Sequence, residues 1–223
     1  MSKETKNLNA AVLVLGDLNR SPRMLNHCKA ISECLPNVKQ ISLIGFNGGD
    51  IRSDIKNNEK IRPFYISEPL KKLFNSLPRI MFPIVAIVKV LLQILILLYT
   101  LLFKIPKPDF LILQNPPGIP TIFICAIVCF LRRSKFIIDW HNYGFTILKV
   151  NKRNKLICYI ARLYEIILAK TSHLNFCVSE NMQKDLKQNM NINSIVLHDR
   201  ALKGVFKKLN IEESHELFQK YQE

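Results

Sequence analysis

Residues 135–144 read Lys135-Phe136-Ile137-Ile138-Asp139-Trp140-His141-Asn142-Tyr143-Gly144. The first half is an apolar, β-branched run, the composition of a strand buried in a sheet. The second half is a cluster of polar and aromatic residues closed by a glycine. A strand ending this way delivers acid–base and hydrogen-bonding groups to a sheet edge. In open α/β sheets, ligands bind in the crevice outside the carboxyl ends of the strands. The single Trp of the chain and the best-placed of its five His are therefore expected together at the site.

Outward from this stretch the chain alternates strand and helix. Upstream, Ala10 to Leu15, Val38 to Ile44, Ile61 to Ile66 and Asp109 to Leu113 read as strands, and downstream Leu174 to Val178 and Ser194 to Leu197 do the same. Ser21 followed by Pro22 is an N-cap and first-turn pair, predicting a helix over about 22–35. A basic loop and a helix near Leu156 to Ala169 follow the central strand, and Ser179 opens another helix. The alternation predicts an α/β fold, a Rossmann-like parallel sheet with helices on both faces.

Two apolar segments interrupt this pattern. Ile84 to Phe103 is long enough as a helix to cross a bilayer, at about 1.5 Å per residue. Pro120 to Leu131 is too short. For the longer segment three readings stand: a core helix, a span, or a helix lying in the membrane interface or re-entering it. The interface reading is favoured. A single crossing would put strands 61–66 and 109–113 on opposite sides of the membrane, and Lys89 and Gln93 share one helical face with Thr100. Lys71, Lys72, Arg79, Lys104 and Lys107 flank it, which suits an anionic surface.

The charge agrees. Lys and Arg total 32 against 17 Asp and Glu, a formal net charge of +15, which favours polyanionic partners. Nucleic acid is set aside, because the basic residues show no interleaving with aromatics and the apolar segments would go unexplained. The six cysteines form no Cys-x-x-Cys pair and several lie in apolar runs, so buried reduced thiols are expected and no metal site.

In a parallel sheet the loops after strands one, four and five open on one edge. They bring Gly16, Asp17, Arg20 and Arg23; Gln114, Asn115 and Gly118; and Asp139, His141, Asn142 and Gly144. Arg20 and Arg23 flank a helix N-terminus, where free N–H groups and the helix dipole favour anions, and arginine adds a fork suited to phosphate. His141 is the candidate general base. Asp139, two residues earlier, would lie on its face if the strand persists and could orient the imidazole.

Four stretches carry a resemblance: Gly16-Asp-Leu-Asn-Arg-Ser-Pro-Arg-Met24, Leu113-Gln-Asn-Pro-Pro-Gly-Ile-Pro120, Ile138-Asp-Trp-His-Asn-Tyr-Gly144 and Ser172-His-Leu-Asn-Phe-Cys-Val178. With Tyr164-Glu165 they resemble, in order and spacing, the chitobiosyldiphosphodolichol β-mannosyltransferase family. The resemblance implies the N-terminal domain of a GT-B glycosyltransferase. It implies inverting β-1,4 transfer of mannose from GDP-mannose to dolichol-diphosphate-linked chitobiose, in N-glycan precursor assembly on the cytosolic face of the endoplasmic reticulum membrane. Inversion requires a base, which strengthens His141, and no cofactor besides the donor substrate is implied. Family members usually carry an N-terminal anchor and a second, nucleotide-sugar domain. The chain shows neither pattern, so residues 1–223 are expected to be the acceptor-binding half, with a membrane-associating helix at about 80–104. A separate donor-domain chain, or other glycosyltransferases of the pathway, would then be partners. The alternative is a non-catalytic half-protein that binds a glycolipid or a partner.

Overall fold

The computed structural model describes residues 7–68, 82–151, 154–200 and 209–221. Lys71, Lys72 and Arg79 lie outside them. Seven strands form one sheet: β1 (Leu8–Asp17), β2 (Val38–Phe46), β3 (Ile61–Ile66), β4 (Phe110–Asn115), β5 (Lys135–Trp140), β6 (Leu174–Cys177) and β7 (Ile195–Val196). Every pairing is parallel and the order is β3-β2-β1-β4-β5-β6-β7. The chain builds outward from β1 on one side, then resumes at β4 on the other. The β1/β4 junction is therefore the topological switch point, where an open sheet of this kind offers its crevice.

Alternation along the strands sorts the core into two layers. Ala11, Leu13, Leu111, Leu113, Phe136 and Ile138 face one side, and Ala10, Val12, Val14 and Ile112 face the other. Helix α1 (Pro22–Cys34) covers the second side through Met24, Leu25 and Cys28, with the short α2 (Ser53–Lys56) beside it. The first side is covered by α3 (Phe82–Tyr99), α4 (Thr121–Arg132), α6 (Lys155–Ala169) and α7 (Glu180–Met190). Helix α5 (Gly144–Val150) replaces the first part of the expected basic loop after β5, and α8 (Ile211–Lys220) ends the described chain.

The caps explain several boundaries. Ser179 accepts from Met182 N and Asn154 from Leu156 N, which starts α7 and α6. Asn210 and Glu213 form a reciprocal capping box at α8. Ser21 holds the N-cap position of α1, but its hydroxyl donates to Asp17 O at 2.9 Å instead of accepting from the helix.

The apolar segment is helical as expected, and runs on from α3 into a π-turn over Thr100–Lys104. Arg132, at the end of α4, donates to the carbonyls of Leu101 and Ile105 that this turn leaves free. The expected polar face is turned the other way, however. Gln93 and Thr100 are buried toward the sheet with Leu97 and Leu101, and Lys89 reaches Glu68 at 3.1 Å. Ile84, Ile87, Leu91 and Leu95 face solvent. Strands β3 and β4, on either side of α3 in sequence, lie in the same sheet.

Candidate functional site

Three loops meet at the carboxyl edge around the switch point, and each comes from a strand whose register brings it there. Asn115 pairs with Trp140, and Asn115 O accepts from His141 N at 3.0 Å, so the β4 and β5 loops leave the sheet side by side. The β1 loop stands across the switch point. Gly16 and Asp17 end β1, and Arg20 is exposed at the end of the following single turn. A Cβ at Gly48 would collide with Asp17 Cγ, and Asn19 donates to Gly48 O. The glycine turn after β2 thus closes over Asp17 and turns it away from β5.

Asp139 is not where a strand-long alternation with His141 would put it. The strand ends at Trp140, so residue 141 no longer shares a face with 139. The Asp139 carboxylate is fully buried on the α1 side of the sheet. It accepts both prongs of Arg23, Nε to Oδ2 and Nη2 to Oδ1 at 2.7 Å each, and lies 2.8 Å from His27 Nε2. Burial would raise its pKa, but the bonds and charges of His27 and Arg23 outweigh burial and hold it below the usual carboxylate range. Arg23 is equally committed. Its Nη1 donates to Leu197 O and to Asp199 Oδ1, and the side chain is buried. Arg23 is thus a structural tie between α1, β5 and the segment after β7, and the expected phosphate fork is already occupied. His27 is part of this tie and stacks on Phe176.

His141 finds a different carboxylate. Its Nε2 is 3.5 Å from Asp199 Oδ2, and its Nδ1 is 3.2 Å from Asn142 Nδ2. Asp199 therefore bridges Arg23 and His141. It lies 58 positions beyond His141 in the chain, and no local pattern marks it. With Nε2 protonated toward Asp199, Nδ1 is the lone pair available to a hydroxyl that displaces the Asn142 amide. Trp140, expected beside His141, is instead core: it is fully buried and its indole N–H donates to Asn175 Oδ1 at 3.0 Å.

Asn115, Gly118 and Gly144 are brought together, and at their centre is a residue the expected site omits. Glu165, on α6, is buried, and its Oε1 accepts from Gly144 N at 3.0 Å. A Cβ on Gly144 would collide with Oε1, and one on Gly118 would come within 3.0 Å of it, so both loops need glycine to admit this carboxyl. Tyr164 Oη donates to Gly118 O and accepts from Phe123 N, which fixes the β4 loop to the same helix. Among the described residues, the buried Gln114 Oε1 and Thr121 Oγ1 find no hydrogen-bond partner, and the buried Asn115 side chain lies against the Glu165 carboxyl. Burial lifts the Glu165 pKa to about 7; the N–H groups of Gly144 and Phe145, and the nearby Asn115 amide, only partly restrain it. The sequence did hold a signal for it. Between residues 110 and 179 the only acidic residues are Asp139 and Glu165, and an acid in an apolar helix needs a reason.

Among the described residues no three His, Cys, Asp or Glu side chains gather as a metal site. The edge can bind a polar ligand through Arg20, His141 and Asn142, and can accept one proton at His141.

No protein-family model matches the chain. Curated proteins do. A Dictyostelium discoideum chitobiosyldiphosphodolichol beta-mannosyltransferase is 38% identical over 225 residues, 95% of this chain and 45% of that protein. The Homo sapiens protein of the same name is 35% identical over 95% of this chain and 44% of its own length. An Arabidopsis thaliana protein named UDP-glycosyltransferase TURAN is 34% identical over 94% of this chain and 44% of its own. Among solved structures, one assigned as a UDP-N-acetylglucosamine 2-epimerase from Listeria monocytogenes aligns with 83% of this chain and 43% of its own, at TM-score 0.49 and 9% identity. The chain spans about half the length of the curated relatives it matches. By sequence it is similar to proteins named chitobiosyldiphosphodolichol beta-mannosyltransferase over nearly all of its own length.

Proposed function

We propose that residues 1–223 supply the acceptor side of an inverting β-1,4-mannosyl transfer from GDP-mannose to dolichol-diphosphate-linked chitobiose. The site would work on the cytosolic face of the endoplasmic reticulum membrane, as part of a GT-B arrangement in which the nucleotide sugar is held outside residues 1–223. The observation that carries the reading is the match to relatives of that name at 35–38% identity over 95% of the chain. The chemistry of the edge is compatible with it. As the acceptor O4 attacks the anomeric carbon, the new C1–O4 bond forms, the C1–phosphate oxygen bond breaks with GDP leaving, and the hydroxyl proton passes to His141. Asp199 would then stabilise the imidazolium. Arg20, exposed beside the β1 loop, would meet the diphosphate of the acceptor. The diphosphate–dolichol end calls for a membrane, and α3 offers its apolar stripe to one.

The test is a chimera. This chain replaces the aligned segment of the Dictyostelium relative, and the product is assayed with GDP-mannose and a lipid-linked chitobiose. β-Mannosyl product from the chimera supports the reading. Transfer from UDP-sugars only, or an inactive chimera beside an active parent, overturns it. In the active chimera, His141→Ala should lower turnover about 10²-fold or more while acceptor binding changes little.

A further inference from the structure

Helix α6 is apolar on the wrong side for a helix in water. Its buried residues, Ala161, Glu165 and Ala169, recur every four positions and face the sheet. At about 100° per residue, the opposite face is Leu156, Ile160, Leu163 and Ile167. These four are between 38% and 63% exposed. Helix α3 repeats the arrangement, with Gln93, Leu97 and Thr100 inward and Ile84, Ile87, Leu91 and Leu95 outward. Helix α4 packs between the two and adds exposed Phe123, Phe130 and Leu131. A groove of about 870 Å³ runs between α4 and the end of α6, lined by Phe123, Ile127, Phe130 and Leu168, and ends at Arg133 and Lys135. One face of the molecule is therefore an apolar plateau of three adjacent helices. The opposite face is ordinary, with Lys29 and Glu33 of α1 outward; α7, on the same side of the sheet as the plateau but not part of it, presents Glu180, Lys184 and Lys187.

Within the segments that build the plateau the exposed charge has one sign. Residues 82–108, 121–135 and 144–170 contain twelve Lys and Arg and a single acid, Glu165, which is buried. An acyl-chain layer under anionic headgroups matches both properties, since aliphatic stripes insert and flanking cations pair with phosphates. A protein partner would have to present an apolar face with an acidic rim.

We propose that the outer faces of α3, α4 and α6 form one docking face for an anionic lipid surface. In this arrangement α6 is a second contact that holds the sheet parallel to the bilayer. The inference rests on the membrane reading of α3 given above and adds α6 to it. Its consequence concerns orientation. Glu165 accepts from Gly144 N in the loop beyond the end of β5, and the ten residues of α6 before it extend about 15 Å further along the helix axis. Docking α6 would lay its first turns on the bilayer in front of the carboxyl edge, with the His141 loop tied through Asp199 to the α1 side above them.

The full chain is floated with phosphatidylcholine vesicles, with and without phosphatidylserine. The expected result is binding that rises with phosphatidylserine. It should fall about tenfold or more in Leu156→Glu/Ile160→Glu/Leu163→Glu/Ile167→Glu, and also in Leu91→Glu/Leu95→Glu. If the α6 variant floats like wild type while the α3 variant does not, the α6 contact is overturned and the α3 reading stands. If wild type floats with neither vesicle, both fall. Ile160→Trp guards against misfolding of the multiple variant: quenching of its added indole by acyl-brominated lipid supports the inference, and no quenching overturns it. A dimer without lipid that the α6 substitutions dissociate, with the Ile160→Trp indole unquenched, would assign the face to a second copy instead.

Discussion

Asp139 shows what residue-level reading reaches and where it stops. An acid at the end of an apolar strand was legible as important, but its partners Arg23 and His27 lie more than 110 positions away on α1. Strand alternation was carried one residue too far, past Trp140 where the strand ends. Buried and doubly paired, Asp139 is expected to act on stability. Asp139→Ala should lower the unfolding free energy by about 3–5 kcal/mol, because it strands the Arg23 guanidinium in the interior. A variant that melts like wild type in urea yet loses acceptor binding would return Asp139 to the site. Glu165 gives the opposite sign. Its folded pKa of about 7 stands above the 4.5 of an ordinary glutamate, so the folded chain binds the extra proton between those values. Stability should therefore decline as pH rises from about 4.5 to 7, by a few kcal/mol at most, and level off above. Asp139, with its lowered pKa, acts in a different window: its stabilisation is present above an ordinary aspartate's pKa and is lost only in stronger acid. Glu165→Gln keeps an acceptor for Gly144 N–H and removes the ionisable group. The decline should vanish in that variant, measured by urea unfolding at pH 5 and pH 8; an unchanged decline would clear Glu165 of it.

At the scale of elements, the strands were the most legible part, because buried parallel strands are short, β-branched apolar runs bounded by turn residues. All seven are present, differing from the sequence boundaries by one or two residues at most ends. Helix α5 was missed, since Gly144–Val150 carries no cap signal in its sequence and no residue of it is fully buried. The facing of α3 was not legible either. A mostly apolar helix with three polar residues reads the same whether those residues point to headgroups or to protein. Only the packing shows Gln93 and Thr100 turned inward. The pairing order does decide a topological question. Strands β3 and β4 are joined through β2 and β1, so a crossing by α3 alone would have to split a hydrogen-bonded sheet across a bilayer. Single cysteines at Lys56 and Lys107, placed in a chain with Cys34 and Cys158 replaced, should therefore label from the same side of sealed microsomes. Labelling from opposite sides would show that α3 spans.

For the whole molecule, what matters is how much of a reaction one open sheet edge can support. Inverting transfer requires the acceptor hydroxyl, a base and the anomeric carbon in line, with reacting atoms about 3–3.5 Å apart. Arg20, His141, Asn142 and Asp199 can address the first two. The departing nucleoside diphosphate needs positive charge or helix dipoles preorganised on its own side. Arg23, the best-placed fork on this edge, is spent inside the fold on Asp139 and Asp199. His141 is about 41% exposed and Asp199 about 53%, so water competes for the contacts that a closed cleft would strengthen. The relatives are about twice as long as this chain, which leaves room in them for the donor side. The purified 223-residue polypeptide is thus expected to bind a dolichol-diphosphate glycan in bilayers and to release no mannosyl product from GDP-mannose. Binding should weaken in Arg20→Ala, which loses charge-assisted bonds to the diphosphate. Measurable β-mannosyl product with no other polypeptide present would mean that the described edge, or the residues around it, also holds the donor, and the acceptor-side reading would fall.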